Sequence, residues 1–148
     1  MRPFDMLMLA AIGTAAIAFQ AGAQAPGSAY DMKGTWKGVR QSITDGVTPH
    51  HPPSAQKGAA GRYRLTEVNV TFRIEGQEGA RFWGTMSSEH FTNRLIGSQS
   101  MDGKWLYMAG AEGLLDGQVI DADTIEVCYR HANPASATVG CNLMKRQK

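Results

Sequence analysis

The sequence predicts an all-β domain, an antiparallel up-and-down meander of about eight strands closed into a small barrel, behind an N-terminal signal peptide. Three observations carry this. Short β-rich runs and turn signals alternate to the end of the chain. Nothing has the periodicity and caps of a long amphipathic helix. Nearly all connections are of hairpin length, so each strand should pair with its successor, whereas Greek-key sandwiches need some long crossings.

The first element is the signal peptide. Arg2 gives a short positive start, followed by an apolar run from Met6 to Phe19. The small residues Ala21-Gly22-Ala23 then form a signal-peptidase site, which places the cut after Ala23. A run of about 14 apolar residues is too short for a bilayer, which takes about 20. The expected organisation is therefore a signal peptide over 1–23, a flexible lead-in over 24–33 and a single barrel domain over 34–148. The localisation that follows is periplasmic or secreted, with no membrane span in the mature chain.

The strands are read in order. The first covers 34–43. A polar loop over 44–61 follows, with Pro49, Pro52, Pro53 and several glycines; it should be mobile and lie across one barrel end, as a lid does. The second run, 62–74, alternates at its end: Val68, Val70, Phe72 and Ile74 share one face, Asn69, Thr71 and Arg73 the other. The third is 80–86 and the fourth 91–100. Asp102-Gly103 is the strongest hairpin signal in the chain. The remaining runs are 104–109, 114–120, 124–131 and 138–146, the last two joined around Asn133-Pro134.

Two cysteines, Cys128 and Cys141, make an isolated pair, which in an exported chain is a disulfide joining the last two strands. The faces present a difficulty. Cys128 shares a face with Glu126 and Arg130, Cys141 with Val139 and Leu143, so a bulge near the Asn133-Pro134 loop is expected to reconcile them. Neither CxxC nor HxxxH occurs, and neither a metal site nor a cofactor is expected. The net charge of +2 is too small and scattered for nucleic acid.

Gly34-Thr35-Trp36 opens the first strand. This Gly-x-Trp opening, followed by a meander of eight strands, resembles the lipocalin and avidin-like barrels. The resemblance implies an architecture and an interior pocket. It does not imply biotin, because Lys37-Gly38-Val39-Arg40 stands where biotin-binding avidins carry polar ligand-holding side chains.

Candidate pocket residues are Trp36, Arg40, Phe72, Phe82, Tyr107 and Tyr129. Trp36 either packs one barrel end or floors a pocket. Arg40 lies on the Trp36 face of a regular strand. It either reaches solvent or, inside a cavity, meets an anionic ligand group. Trp105 and Tyr107 share one face, Leu106 and Met108 the other. The sequence leaves open which pair is inward, and an outward aromatic pair points to a partner surface. His50, His51 and His90 read as solvated loop residues. Asn69-Val70-Thr71 matches a glycosylation acceptor lying in a strand.

The chain thus reads as an exported, non-enzymatic barrel that binds a small, partly apolar ligand in its interior. The alternative is a protein-interaction module, such as a protease inhibitor or envelope assembly factor. An interior lined by small residues with one or two polar groups favours the first reading, and a filled interior favours the second.

Overall fold

The computed structural model describes residues 29–46 and 56–148. All regular structure among them is β: β1 (Gly34–Gly46), β2 (Gln56–Ala60), β3 (Tyr63–Glu78), β4 (Arg81–Ser87), β5 (Thr92–Gln99), β6 (Trp105–Ala109), β7 (Leu114–Asp121), β8 (Thr124–Asn133) and β9 (Ser136–Arg146). From β3 to β9 each strand pairs antiparallel with its successor, and β9 pairs with β1. Pairing of β1 with β3, from Gly34↔Ile74 to Thr44↔Arg64, closes the ring. The result is a closed eight-stranded barrel of β1 and β3 to β9 in up-and-down order, as the meander predicts.

Period-two alternation decides what faces inward. On β3, Val68, Val70, Phe72 and Ile74 are buried, while Glu67, Asn69, Arg73 and Glu75 are exposed. They join Trp36, Phe82, Leu95, Leu106, Leu115, Ile125, Val127 and Met144 in one core. On β6, Leu106 and Met108 point inward and Trp105 and Tyr107 outward. The adjacent interior explains the choice. The Phe82 ring lies over Gly97, where a Cβ would come within 2.3 Å of it, and the space left beside that ring takes a slender Met108.

Two expectations are corrected. The polar stretch read as one loop over 44–61 is partly strand: β1 runs on to Gly46, and Gln56–Ala60 forms β2, a hairpin arm on Tyr63–Thr66. The sequence hides β2 because its side chains are small or polar and mostly exposed, so it is held by backbone pairing and not by burial. The second correction concerns the disulfide. Cys128 and Cys141 are bonded (S–S 2.08 Å) and directly opposite each other on β8 and β9, with no bulge between them. Val139 and Leu143 lie on the outer face with the cysteines, despite being apolar. Among the described residues no helix is long and apolar enough to cross a membrane. The signal peptide, its cut after Ala23, and His50 and His51 lie outside the described residues.

One barrel end is sealed. Residues 29–33 cross it and are tied down by side chains from four strands, β1, β3, β5 and β9. Gln99 Oε1 accepts from Tyr30 N and Gln77 Oε1 from Met32 N, both at 2.7 Å. Trp36 Nε1 donates to Met32 O at 2.9 Å. The Arg146 guanidinium lies 4.2 Å from the Trp36 ring centroid and donates to the carbonyls of Asp31 and Lys33. Met32 and Trp36 are fully buried as a result.

Candidate functional site

The opposite half of the interior is built differently. Because Trp36 faces inward, the same alternation turns Arg40, Ser42 and Thr44 inward along β1. Register places Arg40 opposite Val68, and Ser42 between Thr66 on β3 and Gly140 on β9. Gly140 is required there, since a Cβ would stand 2.1 Å from Ser42 Oγ. Thr44 and Thr138 face each other with their hydroxyls 3.0 Å apart. Thr66, Ser136 and Thr138 are further buried polar residues.

Arg40 is the dominant feature. It is only 2% exposed, and its guanidinium carbon lies 4.7 Å from the Tyr129 ring centroid. A cation over a desolvated aromatic face gains about 2 kcal/mol, well short of the cost of burying an uncompensated charge. Burial accordingly lowers the Arg40 pKa, opposed by interaction with Tyr129. Burial likewise raises the Tyr129 phenol, opposed by Arg40. Arg40 Nε has no hydrogen-bond partner, nor do Ser42 Oγ and Thr66 Oγ1. Leaving such groups unpaired costs about 1–3 kcal/mol each, and more for the charged one.

A cavity of about 10 Å³ adjoins the Arg40 side chain, lined also by Met86, Phe91, Asn93, Glu112 and Tyr129. That is roughly the room of one water molecule. Phe91 comes from the short loop between β4 and β5, and Glu112 and Gly113 from the one between β6 and β7. The second of these is fastened to β8, where His131 Nδ1 lies 2.6 Å from Glu112 O and Nε2 lies 3.0 Å from Asn133 Nδ2.

The structure therefore divides the predicted site residues. Arg40 and Tyr129 come together. Trp36, Phe72 and Phe82 face inward but lie in the packed, sealed half, where they form core. Tyr107 is on the outside, 56% exposed, and cannot line the interior. Ser42, Thr66, Asn93 and Glu112 are additions that the sequence reading lacked. Continuing the Trp36–Arg40 alternation by one step would have reached Ser42; the others depend on cross-strand register.

Tyr107 instead belongs to an external apolar surface. Trp83, Ile96, Ala109 and Leu114 are register neighbours across β4 to β7, with Tyr107 one row away. Trp83 is 47%, Ile96 61% and Leu114 56% exposed. Together they line a shallow outer groove of about 700 Å³, bordered by Arg81 and by the ion pair of Arg130 with Asp116. Among the described residues no three His, Cys, Asp or Glu side chains gather as a metal site.

Comparison with known protein families, curated proteins and solved structures finds no match to this chain.

Proposed function

We propose that this protein is an exported, non-enzymatic barrel that binds a small, partly apolar molecule in its interior, at the end away from the Trp36 seal. The observation that carries the reading is the set of buried polar atoms without partners: Arg40 Nε, Ser42 Oγ and Thr66 Oγ1. Buried polar groups in folded proteins are almost always satisfied, so a cluster of exceptions around a charge marks a place where something else binds. Met86, Phe91 and the Tyr129 ring supply the apolar part of the wall. The cavity beside Arg40 holds only about 10 Å³, and a filled interior favours the surface reading, so the ligand must be small and the wall must open to admit it. The Gly-Thr-Trp opening and eight-stranded closure support the likeness to lipocalin and avidin-like barrels, and the disulfide fits an oxidising compartment outside the cytosol. Native mass spectrometry of protein purified from its own envelope tests the reading. A retained small molecule, lost from an Arg40→Met variant, is the expected result; bare protein in both refutes uptake of a resident ligand.

A second reading rests on the outer groove. Four large exposed apolar side chains, Trp83, Ile96, Tyr107 and Leu114, stand together on one sheet face, as in a protein-interaction surface. Under it the double variant Trp83→Ser, Tyr107→Ser loses a partner that the wild-type protein captures from envelope extract. Equal capture by both proteins refutes this reading and leaves the interior reading untouched.

A further inference from the structure

We infer that this protein pairs with a second copy of itself through the outer face of β4 to β7, about a two-fold axis that runs parallel to the strands between β5 and β6. The inference rests on the reading of that face as a protein-interaction surface. It adds the identity of the partner and the geometry of the contact.

Register lays out the face. Arg81, Ser98, Tyr107 and Asp116 are partners across the four neighbouring strands, and so are Trp83, Ile96, Ala109 and Leu114. Between these two rows runs a third, from Phe82 to Leu115, which faces the core. Period two therefore turns both outer rows to the same side, where they line one shallow groove. Trp83, Ile96, Tyr107 and Leu114 are each about half exposed there. Large apolar side chains grouped in this way mark a surface that a partner covers.

The order of residues along the rows says which partner. A two-fold axis along the strands, midway between β5 and β6, keeps each row at its own level and exchanges β4 with β7 and β5 with β6. Trp83 then meets the partner's Leu114, and Ile96 meets the partner's Ala109. Tyr107 falls on the partner's Ser98, and Arg81 on the partner's Asp116. Large side chains thus face small or apolar ones, and opposite charges meet at both rims. Each pair occurs twice, as an isologous contact requires. An axis across the strands would instead exchange the rows. It would set Trp83 on the partner's Arg81 and Leu114 on the partner's Asp116, desolvating charges against apolar surface.

Charge within one copy agrees. Arg81 pairs with Glu78 at one rim and Arg130 with Asp116 at the other, so the border is balanced. A border of one sign would repel its own copy and suit a partner of the opposite sign. Asp116 has two carboxylate oxygens and can accept from the partner's Arg81 while keeping Arg130. Because both copies use the same face, assembly closes at two. Two short rows a side are well below the roughly 20–30 residues of a standard interface, so the dimer should be weak and reversible.

Sedimentation velocity tests this on the full mature protein with its disulfide intact, from micromolar to millimolar concentration. The expected result is a monomer–dimer equilibrium with no larger species. Ala109→Glu, which sets a charge against the partner's Ile96, should weaken association about tenfold or more. Arg81→Glu and Asp116→Arg should each weaken it severalfold. The double variant Arg81→Glu, Asp116→Arg should recover most of the loss, because it restores opposite charges across the axis. These side chains all point outward, so the fold should be unchanged, which far-ultraviolet circular dichroism checks. Val139→Ser, at an exposed apolar position on β9, should leave association as it is.

A dimer that persists in Ala109→Glu overturns the inference. So does failure of the double charge variant to recover, or a dimer lost in Val139→Ser. A monomer at every concentration also overturns it. In that case a different protein, captured from envelope extract by the wild type but not by Trp83→Ser, Tyr107→Ser, leaves the surface reading standing. With equal capture by both, the two fall together.

Discussion

Trp36 and Arg40 sit two turns of the pleat apart on β1, and the contrast between them sets what single residues do in this barrel. Trp36 is fully enclosed, its indole N–H is satisfied by Met32 O, and Arg146 stacks on its face. Removing it leaves a large void in the sealed half and unties the strap. Trp36→Ala should cost about 3–5 kcal/mol, read by equilibrium urea unfolding. A loss under about 1 kcal/mol, the level of a surface change, contradicts this placement. Arg40 is buried as deeply but unsatisfied. In ligand-free protein, Arg40→Met should therefore raise the urea midpoint, the opposite direction from Trp36→Ala. A lowered midpoint would mean that Arg40 already has a compensating partner. Much of this was legible in the sequence: the shared face of Trp36 and Arg40 follows from period two alone. That Arg40 Nε is left without a hydrogen-bond partner was not legible, because it depends on which residues of β3, β8 and β9 lie beside it, and register is a property of the closed sheet.

At the level of strands, legibility followed burial. The runs that became β3 and β8 were plain because their inward positions are large and apolar. β2 was missed because it buries almost nothing, and the two faces of β6 were left open because both carry large side chains. Asp102-Gly103 did mark the β5–β6 hairpin, in a longer turn than a two-residue one. There Asp102 Oδ1 accepts from Ser100 Oγ and from Lys104 N, and Gly103 N donates to Ser100 O. The β8–β9 pair shows how an apolar residue can mislead. Val139 and Leu143 suggest an inward face for Cys141, yet β9 turns Thr138, Gly140 and Met144 inward and leaves the disulfide on the outside. The bond spans a sequence separation of 13 residues. Chain-entropy loss in the unfolded state then gives about 3 kcal/mol of stabilisation. The double variant Cys128→Ser, Cys141→Ser should lose about that amount without changing the barrel, measured by urea unfolding with far-ultraviolet circular dichroism. Thiol titration of unreduced, denatured wild-type protein should find no free thiol.

For the whole molecule, the two barrel ends should share one pH response, because each buries part of a tyrosine. Tyr30 belongs to the sealed end: its phenol donates to the carbonyls of Asp121 and Ala122 at 3.1 and 2.7 Å, and burial raises its pKa, opposed by Arg146. Tyr129 belongs to the polar end, and burial raises its pKa too, opposed by Arg40. The sign follows from linkage. A phenol whose pKa is higher folded than unfolded binds more protons in the folded state between the two values, so stability falls as pH rises there. This contribution is complete below the unfolded value of about 10 and is lost as pH climbs through the folded value. Arg40 acts in the other sense: burial lowers its pKa, so between its folded value and that of an ordinary arginine stability rises with pH. The melting temperature should therefore show no contribution from these two phenols through neutral pH and should decline from about pH 10 upward. Tyr129→Phe separates the ends. It deletes the titrating group of the polar end and keeps the ring beneath Arg40, so its decline should be shallower than wild type, with the remaining slope due to Tyr30. Tyr30→Phe should flatten the other share while also losing the two carbonyl contacts, which lowers stability at every pH. Differential scanning calorimetry of the three proteins from neutral to strongly alkaline pH decides the matter, and an unchanged slope in Tyr129→Phe would show that its phenol titrates alike in the folded and unfolded chain.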